Sequence, residues 1–198
     1  IDYITEQTVE NVPASVQYSY NQSSWTNGTN AKLTLTPGQN VYFRNVSSPS
    51  DVSTLTVPAR SAAPAFAIDF LNERTSTAVS SAYQYSLNVN MTSSVTGTGQ
   101  PATVTPGTTL YIREIATASK FASEKQALAV PSRPAAPAIG VDFVNLTTNV
   151  VVTSSQLVSI NSNMSGANLG NGTKIALSPG NDLYIRQKGT SSQFASEI

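Results

Sequence analysis

Three aspartates and three arginines recur with nearly constant spacing and are the first residues whose types suggest chemistry. Each aspartate stands between two apolar residues and precedes an arginine by 42, 44 and 44 residues, in the pairs Asp2 and Arg44, Asp69 and Arg113, and Asp142 and Arg186. An aspartate and an arginine on neighbouring strands can form an ion pair, and an aspartate can also accept backbone hydrogen bonds. We therefore expect these residues to brace the fold, with substrate binding as the alternative.

The sequence contains few of the groups that familiar enzymes use. It has no histidine and no cysteine, which excludes imidazole bases, thiol nucleophiles, disulfides and the usual zinc ligands. A catalytic carboxylate pair would need a second recurring acid, but Glu6 and Glu73 are replaced by Leu146 in the third instance. The other acids are scattered singly and form no calcium-binding loop. We therefore predict a protein that is not an enzyme, without a cofactor or a metal site.

Trp25, with Tyr18 and Tyr20, is the candidate ligand-binding group. Aromatic rings side by side can form a platform for a sugar ring, the arrangement that carbohydrate-binding modules use. Aromatic residues are also favoured on sheets, where they pack or remain half-exposed. Both interpretations stay open at this point.

The charge and composition favour a secreted protein. Eleven basic residues balance 11 acidic residues, so there is no electrostatic case for nucleic acid or an anionic membrane as a partner. No apolar run reaches the roughly 18 residues that span a bilayer. The surface is neutral, lysine-poor and rich in Ser, Thr and Asn, which is typical of extracellular bacterial surface proteins. Because the chain begins directly on IDY, we expect it to be a piece of something longer.

The sequence repeats with a period of about 70 residues. Three copies begin with similar segments at positions 1, 68 and 141, namely IDYITEQT, IDFLNERT and VDFVNLTT. Each copy later contains a proline-glycine turn followed by a strand: LTPGQNVYFR, VTPGTTLYIR and LSPGNDLYIR. We predict three domains with the ranges 1–59, 60–132 and 133–198, and the third stops before its closing strand.

Alternating apolar and polar residues predict strands throughout, and clusters of Asn, Gly, Ser and Thr separate them as turns. The proline-glycine turn is expected to carry the chain from one sheet to another between two buried residues, Leu35 and Val41 in the first copy and Leu177 and Leu183 in the third. The only helical option is a single turn in KFASEKQ. The predicted fold class is all-β, with three tandem, small antiparallel β-sandwiches.

These corners resemble those of fibronectin type III and immunoglobulin-like modules, whose crossing between sheets often reads Leu-x-Pro-Gly before a strand. The corner tyrosine of those modules falls where this chain has Val41, Leu110 and Leu183, and its own tyrosine comes one residue later. The whole chain is similar to the tandem VPARPAAP, IDY, TPG, YFR, FAS repeats of large secreted bacterial surface proteins, which are often adhesin-like or attached to carbohydrate-active enzymes. The resemblance implies Ig-like sandwich repeats.

The segments VPARSAAPAF and VPSRPAAPAI join the copies. Their prolines hold the backbone extended and donate no ladder hydrogen bonds, so we expect short, stiff Pro/Ala-rich linkers. We predict a non-catalytic stalk or spacer of a large extracellular bacterial surface or adhesin-like protein, whose partners are neighbouring repeats of the same chain. Two alternatives stay open: modules that bind surface glycans or another ligand, and a filament subunit whose missing strand comes from another chain.

Overall fold

The computed structural model describes all 198 residues and consists of strands and turns, without a helix. Seventeen short β-strands form six open sheets built from antiparallel pairs. The predicted all-β class is therefore confirmed. The segment 120–126, the one helical option in the sequence, contains no helical turn.

The first sequence copy forms two sheets. Its strands are β1 (Gln7–Val12), β2 (Val16–Ser19), β3 (Thr26–Asn27), β4 (Ala31–Thr34), β5 (Val41–Asn45) and β6 (Ser48–Leu55). One sheet pairs β1 with β4, and the other has the order β3-β2-β5-β6. The central pair of the larger sheet is β2 and β5, in which Gln17 lies opposite Arg44.

The second copy repeats the larger sheet, but its small sheet pairs two consecutive strands. Its strands are β7 (Ile68–Asp69), β8 (Arg74–Thr75), β9 (Tyr83–Ser86), β10 (Val95–Thr96), β11 (Thr109–Glu114) and β12 (Gln126–Ala129). The small sheet pairs β7 with β8, and the larger sheet has the order β10-β9-β11-β12. Its central pair places Gln84 opposite Arg113, as in the first copy.

The third copy has a three-stranded sheet where the other two have four strands. Its strands are β13 (Val141–Asp142), β14 (Thr147–Thr148), β15 (Gln156–Ser159), β16 (Asn168–Leu169) and β17 (Tyr184–Gln187). The small sheet pairs β13 with β14, and the larger sheet has the order β16-β15-β17. No strand pairs with the outer edge of β17, and Leu157 lies opposite Arg186.

A buried serine ends one central strand of each larger sheet. β2, β9 and β15 each finish on a buried serine whose hydroxyl accepts hydrogen bonds from the following turn. Ser19 Oγ, for example, accepts from the backbone N–H of Gln22 at 2.9 Å. Such side-chain hydrogen bonds replace the ladder and turn the chain.

The predicted proline-glycine corner has the geometry of a type II turn. Gly38 has φ of 86°, and the N–H of Gln39 donates to the carbonyl oxygen of Thr36 at 3.0 Å. Proline suits the second position of such a turn, and glycine adopts the positive φ of the third position without strain. Gly107 and Gly180 repeat it with φ of 82° and 85°. In the first copy the corner connects β4 in one sheet to β5 in the other.

The residues that flank the corner are buried in the first copy but only half-buried in the third. Leu35 and Val41 are 2% and 0% exposed and belong to one core cluster with Val57. Leu177 and Leu183, which we predicted to be buried as well, are half-buried. The reason is that the side chains that cover the first copy, Val57 among them, have no counterparts over the third.

By its contacts the chain divides into two compact units, each assembled from three segments. One unit contains Ile1–Ala65, Val79–Gly99 and Tyr111–Ala127, and the other contains Phe66–Ala78, Gln100–Leu110 and Leu128–Ile198. Each unit therefore combines residues from two sequence copies. The ranges 1–59, 60–132 and 133–198 stay a prediction from the sequence pattern.

Candidate functional site

Arg60, in the segment between the first two copies, contacts both of them. Its side chain is 21% exposed. Its Nη2 donates to both carboxylate oxygens of Glu6 at 2.7 Å, and its Nη1 donates to the carbonyl oxygen of Ala122 at 3.0 Å. Because a guanidinium presents several donors in a fixed plane, one side chain can hold an acid and a backbone carbonyl at once. Arg60 thereby ties Glu6 of the first copy to Ala122 of the second.

Phe121, which precedes that carbonyl, is inserted into the core of the first copy. It is 2% exposed and joins the core cluster of Leu35, Val41 and Val57. Its ring centroid lies 4.8 Å from that of Tyr3 at an interplanar angle of 62°, an edge-to-face contact. Burying a phenylalanine side chain contributes about 1.5–3 kcal/mol. The first copy therefore uses a side chain of the second to complete its core.

Ser123 fastens the same segment to a strand of its own copy. Its hydroxyl accepts from the N–H of Glu114 at 2.9 Å and donates to the carbonyl oxygen of Glu124 at 2.8 Å. The N–H of Glu124 in turn donates to the carbonyl oxygen of Ser61 at 2.9 Å. We call the segment 121–123, with sequence Phe-Ala-Ser, and its counterpart 194–196 the clips.

The second clip reproduces the first. Phe194 is 2% exposed, and its ring centroid lies 4.9 Å from that of Phe70. Arg133 donates to Glu73 through Nη2 at 2.6 Å and to the carbonyl oxygen of Ala195 through Nη1 at 3.2 Å. Ser196 Oγ accepts from the N–H of Gln187 at 2.8 Å, as Ser123 Oγ accepts from Glu114. Because the same contacts occur in two places, we interpret the clip as a regular structural feature of the junction between copies.

The structure does not bring the predicted aspartate–arginine pairs together. The Oδ1 of Asp2 accepts hydrogen bonds from the backbone of its own loop, at Ile4 and Thr5. The Asp69 carboxylate accepts hydrogen bonds from the backbone and side chain of Asn72 and from Arg74 Nε. Asp142 accepts from the backbone of Val144 and Asn145 and lies 3.4 Å from Lys174 Nζ. An aspartate side chain is short, so it accepts hydrogen bonds from donors within its own turn and does not reach the arginine on the distant strand.

These local donors hold the aspartates in their charged form. Hydrogen bonds from the side chain and backbone of Thr5 keep the pKa of Asp2 below its ordinary value. The Asn72 side chain has the same effect on the pKa of Asp69, and the Asn145 side chain on that of Asp142. All three carboxylates act as turn braces, which is the backbone hydrogen-bonding role that the sequence suggested.

The three strand arginines have different surroundings. Arg44 Nε donates to Gln17 Oε1 at 2.8 Å. When the amide oxygen of Gln84 faces Arg113, it accepts from Nε at 2.7 Å and from Nη2 at 2.8 Å. Arg186 lies opposite a leucine, and its buried Nε has no hydrogen-bond partner.

The predicted aromatic group is brought together in part. The Tyr18 and Tyr20 rings are 6.0 Å apart in an edge-to-face contact, and Tyr18 packs against the core cluster. Trp25 is half-buried, its indole Nε1 donates to the carbonyl oxygen of Gln22 at 3.1 Å, and the Arg44 guanidinium carbon lies 4.0 Å from its ring centroid. The cation covers one face of the indole, which leaves Trp25 fixed but less open than a free sugar platform.

No three His, Cys, Asp or Glu residues lie close enough together to hold a metal ion. The chain forms no helix of the length and apolarity needed to span a membrane. A groove of about 470 Å³ lies in the third copy beside Phe143, Leu177 and Leu183.

The clip was not predicted from the sequence, although the sequence contains its residues in recognisable segments. The words VPAR and VPSR end in the two arginines, and FAS occurs twice. The acids that those arginines bind, Glu6 and Glu73, are the same two that lack a third counterpart. The signal that links them is that each of these two acids is followed, in the same order, by a linker arginine and an FAS segment.

The chain matches no protein-family model, and no curated protein is detectably similar to it in sequence.

Proposed function

We propose that the chain is a non-catalytic stalk or spacer of a large extracellular bacterial surface protein, made of three tandem Ig-like sandwich repeats on Pro/Ala-rich linkers. The observation that carries the proposal is the clip. Twice, a buried phenylalanine from one copy packs on an aromatic ring of the copy before it, and an arginine of the intervening segment ties the two copies together. A spacer needs such junctions because they stop neighbouring copies from swinging independently.

The linker segment supports the same function. Pro58, two residues before Arg60, accepts a hydrogen bond through its carbonyl oxygen from the N–H of Gly38 at 3.0 Å. The linker backbone is therefore fastened at the corner of the first copy before it reaches the arginine. Extended, proline-containing segments held at both ends transmit orientation better than flexible ones.

Small-angle scattering of the full chain tests the proposal. If the chain is a spacer, its scattering curve should be fitted by a single conformation. The Arg60→Ala/Phe121→Ala double variant should give a broader distance distribution because one junction is lost. Its far-ultraviolet circular dichroism spectrum should be unchanged because the sheets remain. Arg74→Ala is the matched control, since this arginine pairs only with an aspartate of its own loop. A wild-type curve that already requires freely moving parts would overturn the spacer function.

Glycan binding through Trp25 is the second candidate, and the observation in its favour is the indole held rigid by Gln22 and Arg44. Fixed aromatic rings lose little entropy when a ligand binds. Binding on a glycan array that Trp25→Ala abolishes and Tyr42→Ala retains would establish it. Strand exchange at the free edge of β17 is the third candidate, and concentration-dependent polymers would reveal it.

A further inference from the structure

The third copy contains the groove that the clips fill in the other two copies, and here it is open. Phe143 is 82% exposed and Leu146 is 47% exposed. Together with Val141, Leu177 and Leu183 they line the groove of about 470 Å³. An exposed phenylalanine beside half-buried leucines is an apolar patch of the kind that marks a binding surface.

Three of the lining residues have counterparts that pack with a clip phenylalanine elsewhere in the chain. Phe143 occupies the sequence position of Tyr3 and Phe70, the two rings that pack on Phe121 and Phe194. Leu177 and Leu183 occupy the positions of Leu35 and Val41, which form the seat of Phe121. The groove is thus the third instance of an interface that the structure contains twice in filled form.

The groove differs from the filled ones in its charge. Where the first two copies have Glu6 and Glu73, which bind the linker arginines, the third has Leu146. An incoming segment therefore meets an apolar side chain at this point and no acid. Its binding depends on the aromatic ring, and an arginine beside it contributes no ion pair.

We propose that the groove of the third copy is the docking site for the phenylalanine of a further Phe-Ala-Ser clip, presented by another unit of the same type. This inference rests on the proposed function, since it extends the same junction to a further unit. A second copy of this chain does not supply the segment, because both of its clip phenylalanines are already buried at 2% exposure. The partner is therefore a unit whose clip is free.

An extended chain tests the proposal directly. Residues 1–197 are followed by a second copy of the sequence 125–198, which supplies a closing strand, a linker and a further clip. A fluorine label on Phe143 reports its exposure to solvent through the solvent isotope shift of its resonance. The expected result is that the isotope shift is lost in the extended chain and present in the original one.

The matched control replaces only the phenylalanine of the added clip by alanine, which keeps the added strand and linker. Phe143 is expected to return to solvent in this control. If Phe143 is exposed in both extended chains, or buried in both, the clip is not its partner and the proposal is overturned. Concentration-dependent burial of Phe143 in the original chain would identify a second copy as the occupant and would overturn it equally.

The acid that is absent from the third copy provides a second, independent measurement. Leu146→Glu is expected to raise the urea midpoint of the extended chain, because the added linker arginine gains the partner that Arg60 and Arg133 have. The substitution leaves the original chain unchanged, since Leu146 there is exposed. An equal effect on both chains would contradict the proposal. If Phe121→Ala disturbs the first copy while Phe143 stays exposed in the extended chain, this inference fails and the proposed function stands.

Discussion

At the scale of single residues, the residue opposite a strand arginine determines whether the guanidinium has a hydrogen-bond acceptor. Arg44 and Arg113 each lie opposite a glutamine that accepts from the guanidinium. Arg186 lies opposite Leu157 instead, and its Nε is buried without a partner. A buried donor that loses its acceptor destabilises the folded state by about 1–3 kcal/mol.

Restoring that acceptor should therefore stabilise the chain. Leu157→Gln places an amide where Gln17 and Gln84 stand in the other copies. We expect the free energy of unfolding to rise by about 1 kcal/mol, measured by urea denaturation. The reverse change, Gln84→Leu, is the control and should lower stability by a similar amount. If Leu157→Gln lowers the free energy of unfolding, the packing of the leucine contributes more to stability than the hydrogen bond of the new amide, and the prediction is wrong.

At the scale of elements, the tight loops between the short strands depend on their aspartates. The loop between β13 and β14 is closed by Asp142, which accepts from two backbone N–H groups and from the Asn145 side chain. The hydrogen bonds favour the charged form, so the pKa of Asp142 is lower in the folded chain than in the unfolded one. The loop and the ionisation of this carboxylate are therefore coupled.

The sign of this coupling gives a pH prediction. A lowered folded-state pKa adds stability that is fully present above the unfolded pKa of about 4 and is lost as the pH falls through the folded pKa. We expect the urea midpoint to fall below about pH 4, and Asp142→Ala to make the fall shallower. Carbon-detected NMR titration should place the pKa of Asp142 below that of a free aspartate. A pKa at or above the ordinary value would contradict the turn-brace role.

The strands and corners could be predicted from the sequence, because they depend on local patterns. The turn at Pro37 and Gly38 needs only the backbone preferences of two neighbouring residues, and the structure has it as predicted. The clip could not be predicted in this way, because Arg60 and its acid are 54 residues apart in sequence. The spacing of Asp2 and Arg44 was equally visible but misleading, since a short side chain is satisfied within its own turn.

At the scale of the whole molecule, each compact unit contains one clip. Phe121 lies in one unit with the first copy, and Phe194 lies in the other with Glu73 and Arg133. We therefore expect cooperative unfolding to follow these two units, each of which joins residues of two sequence copies. We also expect the boundary of a stable fragment to include the clip that follows it.

The most direct measurement is native-state amide hydrogen exchange on the full chain and on Phe121→Ala. If Phe121 completes the core of the first copy, protection should fall in β5 and at Val57, more than 60 residues away in sequence, as well as around residue 121. Leu35 and Val41 form the seat of this ring, so its loss opens their core. Arg74→Ala should leave those amides unchanged. A loss of protection confined to residues 116–126 would show that the core of the first copy does not depend on the clip, which contradicts the role given to Phe121.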